Sequence, residues 1–324
     1  MKYIDLKTPK SELLDFLRQN NWLNAEGEDI LEIEKPGEGN MNVVLRIKTN
    51  ERSFILKQSR PFVQKYQQIE APLERIEVEY QFYTTINSKE IEANIPGIIA
   101  YDPKNHLLLM EDLGDCKDMT SIYEDRDIED EEAEKLIHLL GIIHNKEAAK
   151  DYPPNLALRQ LNHQHIFALP FMEDNGFNLD DVQEGLQELS LPYKKDDALK
   201  SVVKSLGKKY LSPGSTLIHG DYYPGSWMKK GDKVYIIDPE FSFVGFAEFD
   251  LGVMAAHLII TTLDDEYLAT ICNKYKGNVD KALVTKIAGV EIMRRLIGLA
   301  QLPLLRGIYE KDYLLQIARK MILT

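Results

Sequence analysis

Residues 218–240 read IHGDYYPGSWMKKGDKVYIIDPE, and this stretch decides the architecture. Asp221 stands in a His-Gly-Asp turn, and Asp238 follows 17 residues later, after the apolar run Val234–Ile237. Two short strands would each end on a carboxylate, with their mouths side by side. Phosphoryl transfer to a hydroxyl needs that arrangement: one carboxylate within reach of the acceptor proton, the other holding Mg²⁺ against the phosphates. Each aspartate alone reads equally well as a turn residue, because aspartate after glycine or before proline often serves that purpose. Their order, with a strand between them, favours the chemical reading.

Upstream, residues 29–34 (DILEIE), 41–48 (MNVVLRIK) and 53–58 (SFILKQ) alternate apolar and polar positions in whole or in part. They read as three strands. A helix over 9–19 precedes them, a loop at 61–72 follows, and a helix over 73–86 carries Ile76, Tyr80 and Tyr83 on one face. Two further strands are expected at 97–101 and 106–110. After Leu113-Gly114 helical patterns take over, at 129–145, 178–189, 195–208, 248–262, 280–301 and 309–322, around a small β island at 215–237. The fold class expected is therefore α+β, a small sheet lobe over 1–112 and a larger, mainly helical lobe over 113–324.

The sheet region holds partners for the aspartate pair. The segment GEGNMN (37–42) lies between two strands, where Gly37, Gly39 and Asn40 would bring backbone close to nucleotide phosphates, with Asn42 in place of the third glycine of G-x-G-x-x-G; a plain hairpin turn explains it as well. Lys57 ends an apolar strand, the place from which a lysine ammonium meets the α- and β-phosphates. Of Glu74, Glu77 and Glu79 on the next helix, Glu77 is taken as the lysine's partner. The strand 106–110 breaks into a polar turn, where Met110, Glu111 and Leu113 would face the adenine edge.

These residues together resemble the aminoglycoside phosphotransferase and choline kinase superfamily, with its protein-kinase-like bilobal fold, and within it the methylthioribose kinase family. The likeness rests on KQSRPFV (57–63), HGDYYPGS (219–226), DPEF (238–241) with FDLG (249–252) downstream, and RRLIGLA (294–300), and spans about residues 36–301. It implies an ATP-dependent kinase acting on a hydroxyl of a small, sugar-like molecule. Asp221 is similar to that family's catalytic base, Asp238 and Glu240 to its Mg²⁺ ligands, and Ser226 to a third residue at the metal. Lys57 matches the phosphate-binding lysine, and Arg294 and Arg295 an arginine pair near the sugar. Neighbours on a helix point ~100° apart, so at most one arginine should aim at the acceptor. Tyr223-Pro224 replaces the family's His-Thr, which places Tyr223 on the acceptor side and leaves the acceptor open. An aminoglycoside or choline-like amino alcohol is the alternative, and a non-catalytic nucleotide-binding scaffold the reading from another class. The resemblance also suggests a homodimer.

Composition narrows the field further. The chain has 324 residues, is 28% charged and carries a formal charge of −13. Such a surface repels nucleic acid and anionic membranes, and no basic patch or long apolar span offsets it. Cys116 and Cys272 are isolated, so no zinc spacing or disulfide framework exists. A cytoplasmic enzyme is expected. His163 and His165 lack a third ligand at suitable spacing.

Overall fold

A computed structural model describes residues 1–23, 27–37 and 41–324. The first part of the chain forms α1 (Lys10–Gln19), β1 (Ile30–Glu34), β2 (Val43–Thr49), β3 (Ser53–Gln58), β4 (Phe62–Val63), β5 (Tyr66–Glu70), α2 (Arg75–Ile86), β6 (Ile98–Asp102) and β7 (Leu107–Glu111). Five of these strands make an antiparallel sheet in the order β1-β2-β3-β7-β6. Strict alternation along β2 buries Val43, Leu45 and Ile47. They join Phe54, Leu56, Leu107 and Leu109 beneath Ile4 and Leu13, Phe16 and Leu17 of α1. Each such side chain contributes roughly 1.5–3 kcal/mol by leaving water. Lys57 lies on the opposite face by the same period of two, the face against which Ile76, Phe82 and Tyr83 of α2 pack with Leu108 and Met110.

The rest of the chain forms β8 (Lys117–Asp118), α3 (Ile122–Asp125), α4 (Asp130–His144), α5 (Leu156–His163), α6 (Leu186–Lys194), α7 (Asp197–Leu211), β9 (Thr216–Ile218), β10 (Trp227–Lys230), β11 (Lys233–Ile236), β12 (Phe243–Gly245), α8 (Ala247–Thr262), α9 (Glu266–Lys274), α10 (Lys281–Ile297) and α11 (Ile308–Leu323). A helix apolar on every side belongs inside a core, and α8 is buried at nearly every position. It lies against α10 so closely that a Cβ on Gly252 would stand 2.6 Å from Ile287 Cβ. Gly252→Ala should therefore destabilise the protein by about 1–3 kcal/mol, the usual penalty of overpacking. A urea midpoint matching the wild type would contradict that packing.

Several segments differ from expectation, among them the helix expected over 178–189, which is α-helical only from Leu186, as α6. Residues expected to loop at 61–72 fold into the β4–β5 hairpin, closed by Arg75, which donates to the carbonyls of Arg60 at 2.8 Å and Pro72 at 2.6 Å. Only two residues of β4 are extended, too few to show a period. Residues 156–168, outside every helix expected from the sequence, form α5 and a π-type turn at Gln164–Ala168. The helix expected over 280–301 stops at Ile297, because Gly298 is extended. Among the described residues, no helix is long and apolar enough to cross a membrane.

Candidate active site

The His-Gly-Asp turn leaves β9, which pairs with β12 so that Ile218 faces Phe243. Asp250, in the first turn of α8, holds the turn in place. Its carboxylate, with a fully buried side chain, accepts the His219 N–H at 2.7 Å and the Gly220 N–H at 2.9 Å. His144 Nε2 lies 3.2 Å from the same carboxylate, and His144 Nδ1 lies 2.9 Å from the Tyr275 hydroxyl. Gly220 has φ +84°, and a Cβ there would meet the Phe241 carbonyl oxygen at 2.2 Å; no other residue type fits. Burial keeps the His219 imidazole below its ordinary pKa. Its Nδ1 accepts the Asp221 N–H at 3.3 Å, and Nε2–H donates to the Ile237 carbonyl at 3.0 Å. Asp221 thus leaves a rigid turn with 20% of its side chain exposed. Burial holds its pKa above the usual carboxylate value, against the opposing pull of Arg295 and Arg294. Ser226 donates from Oγ to the Asp221 carbonyl at 2.8 Å.

Lys57 reaches across to the second aspartate. Its ammonium lies 2.6 Å from Glu79 Oε2 and 2.7 Å from Asp238 Oδ1. Burial works against that charge, but Asp238, Glu79 and Glu240 outweigh it and keep the lysine protonated. The partner is therefore Glu79, and the expectation of Glu77 is corrected: Glu77 is exposed, whereas Glu79 is fully buried. Helical geometry accounts for the difference. Position 79 is three residues after Ile76 and shares the face of Tyr80 and Tyr83, while position 77 is turned ~100° away. Asp238 adopts the left-handed conformation at φ +60° and keeps 51% of its side chain exposed.

Glu240 is almost entirely buried. It accepts Asn42 Nδ2 at 2.9 Å and lies 3.4 Å from Arg75 Nε. Arg75 also donates to Asn42 Oδ1 at 2.9 Å and to the Met41 carbonyl at 2.8 Å. Asn42, at the position of the missing third loop glycine, ties the end of that loop to Glu240. Burial raises the Glu240 pKa, Lys57 and Arg75 lower it, and Asp238 raises it again. Glu79, Asp238 and Glu240 thus gather around Lys57 and Arg75, and burial pushes the Glu79 carboxyl up to about 8. Among the described residues no three His, Cys, Asp or Glu side chains form a ready metal cage. Mg²⁺ rarely needs one, since it binds through one or two carboxylates and the substrate's phosphates. The half-exposed Asp238, with the Glu240 carboxylate two residues on, fits it.

The remaining expected residues divide. Gly37 is exposed with open space around it, and Gly39 and Asn40 lie outside the described residues. Met110 is buried in the sheet. Glu111 turns its carboxylate back to the Gly97 N–H at 3.0 Å, and the Leu113 carbonyl accepts Lys230 Nζ at 3.2 Å. Arg294 and Arg295 are both buried, at 8% and 6% exposure, and both turn to Glu291. Arg295 alone also approaches Asp221, with Nη2 3.7 Å from Oδ1, and its guanidinium lies 4.8 Å from the centre of the Tyr223 ring. Tyr222 and Trp227 are fully buried.

Residues 32–284 match the sequence profile of APH, the phosphotransferase enzyme family. The methylthioribose kinase of Exiguobacterium sibiricum is 25% identical, with 88% of this chain and 84% of that protein covered. That of Geobacillus thermodenitrificans is 26% identical over 85% and 81% of the two chains. Among solved structures, choline kinase LicA from Streptococcus pneumoniae matches with a TM-score of 0.53 at 15% identity, over 97% of this chain and 99% of that one. Spectinomycin phosphotransferase, solved with ADP and spectinomycin, matches with a TM-score of 0.53 at 13% identity over 98% of each chain. At such identities these structures speak for the fold alone, which is the expected α+β, protein-kinase-like one. The family profile spans most of the chain and takes in Lys57, Asp221 and Asp238, so this chain belongs to the phosphotransferase enzyme family and is an enzyme that passes a phosphoryl group to a hydroxyl acceptor.

Proposed function

We propose that the enzyme transfers the γ-phosphoryl of Mg·ATP to a hydroxyl of a neutral, sugar-like acceptor of the methylthioribose kind. In this reading residues 1–112 form the nucleotide-binding lobe and 113–324 the catalytic and acceptor-binding lobe. Lys57, released from Asp238 on nucleotide binding and still braced by Glu79, contacts the phosphates. Asp238 and Glu240 would hold Mg²⁺, with Ser226 beside them. Bound there, the ion supplies positive charge against the phosphate oxygens. Asp221 orients the acceptor hydroxyl and takes its proton, and Arg295 and Tyr223 line the acceptor side.

The observation that carries this reading is the meeting of Arg295, Tyr223 and Asp221 in one place. A guanidinium so placed offers donors to hydroxyl oxygens. The two methylthioribose kinase relatives, aligned over more than four fifths of this chain, support the same acceptor class. An ATP-consumption screen over methylthioribose, other neutral pentoses, spectinomycin, choline and ethanolamine tests it. Turnover is expected with a neutral sugar; turnover confined to the amines would refute the acceptor assignment and leave phosphoryl transfer intact.

A further inference from the structure

Arg294 and Arg295 are adjacent on α10, yet both guanidiniums converge on one carboxylate a turn earlier. Glu291 is 1% exposed. It accepts Arg294 Nη1 at 3.0 and 3.1 Å and Arg295 Nε at 2.6 Å. Burial disfavours its charge, but Arg294 and Arg295 hold it well below the usual carboxylate range. A third donor comes from α8, where His257 Nε2 lies 3.2 Å from Glu291 Oε1. Burial brings that imidazole down to about 4, so the ring is neutral and has one N–H to give. The Tyr123 hydroxyl, 2.6 Å from His257 Nδ1, fixes which nitrogen carries it. Tyr123 donates to His257, His257 donates to Glu291, and Glu291 holds Arg295.

The direction of the Arg295 fork gives this chain a consequence for chemistry. Glu291 grips the Nε edge, which leaves Nη2 at 3.7 Å from Asp221, beyond a hydrogen bond. A free arginine this close would close on the carboxylate in a two-pronged pair. Such a pair would occupy the oxygens on which the acceptor proton must land. Charge points the same way, since Arg294 and Arg295 balance Glu291 and Asp221; without Glu291, two buried guanidiniums would face one carboxylate.

We propose that Glu291, braced by His257 and Tyr123, is a positioning residue that keeps Arg295 at ion-pair distance from Asp221 but out of a two-pronged hydrogen-bonded pair with it. The proposal rests on reading Asp221 as the base. In the full-length enzyme with Mg·ATP and methylthioribose, Glu291→Gln should lower kcat by about 10²-fold, the scale of an ångström of misplacement. KM for ATP should stay within twofold. In an Arg295→Ala background the same change should cost less than about threefold more, because residues that act through one another are not additive. Tyr123→Phe, which removes one hydroxyl, should lose about three- to tenfold in kcat, again absorbed by Arg295→Ala. Equal losses in both backgrounds, or a shared rise in KM for ATP, would overturn the proposal. So would Tyr123→Phe at wild-type kcat should Glu291→Gln fail to fold.

An acceptor-independent signal separates this from the acceptor assignment. The Arg295 Nε–H proton should exchange slowly with solvent in the wild type and at least tenfold faster in Glu291→Gln. That result in an enzyme inert toward methylthioribose would refute the acceptor and uphold the hold of Glu291 on Arg295. Unchanged exchange would refute the hold itself.

Discussion

Asp221→Asn should cut turnover ~10²–10⁴-fold, the size of a lost general base, while Mg·ATP affinity stays within a few-fold. Asparagine keeps the shape of the side chain and nothing in the His-Gly-Asp turn depends on the carboxylate itself. The turn is held by Asp250 through the His219 and Gly220 backbone and by the His219 ring through the Asp221 N–H. Folding and nucleotide binding are thus separable from proton acceptance at this position. Arg295 would face an amide at Asp221 but keep its 2.6 Å bond to Glu291, which holds it in place. Steady-state turnover read beside a fluorescent-nucleotide titration checks both halves. Near-normal turnover would remove Asp221 from the role of base.

Lys57→Met should abolish useful turnover and destabilise the protein by about 3–5 kcal/mol, because removing one partner of a buried ion pair strands the other. The stranded group is Glu79, fully buried in α2. Burial already raises the Glu79 pKa, and Lys57 is the foremost group pulling it down. Without the ammonium, the folded state holds the Glu79 proton more tightly than the unfolded chain, whose carboxyl titrates near about 4.3. Above that pH the folded state must either stay protonated or bury a naked charge, so stability falls as pH rises. In the wild type the Glu79 carboxyl, pushed up to about 8, ionises beside Lys57, whereas the variant has no cation to receive that charge. The variant's deficit in urea midpoint should therefore be larger at pH 9 than at pH 6. Glu79→Gln in the same background should recover most of the stability and none of the activity. Glu77→Ala, by contrast, should stay within about 0.5 kcal/mol of the wild type, as an exposed site does. A deficit independent of pH, or a larger effect from Glu77, would contradict the pairing.

What could be read from sequence followed from how local each signal was. Strand alternation at 43–49 and 53–58, and the apolar run of α8, report burial directly, and the α+β layout follows from them. Asp221, Asp238 and Lys57 stood out because each ends a short apolar strand, and the structure brings Lys57 and Asp238 together. Glu79 was within reach, since the face marked by Ile76, Tyr80 and Tyr83 includes position 79. Choosing Glu77 set helical periodicity aside. Asp250 and Glu291 carry no such mark. Glu291 is the single acid of α10 and Asp250 one of two in α8, and the partners of each, the His219 and Gly220 backbone or His257 and Arg295, are set by tertiary packing. Asn42 looked like a loop glycine gone missing, and only its contact with Glu240 shows what the side chain does.

The most direct test of the whole account is a crystal structure of the enzyme with a non-hydrolysable ATP analogue, Mg²⁺ and methylthioribose. The account predicts the nucleotide phosphates on Lys57, the ion on Asp238 and Glu240, and one sugar hydroxyl ~2.6–3.2 Å from Asp221, the reach of a general base. A nucleotide bound away from Lys57, or a sugar whose hydroxyls all lie far from Asp221, would contradict it.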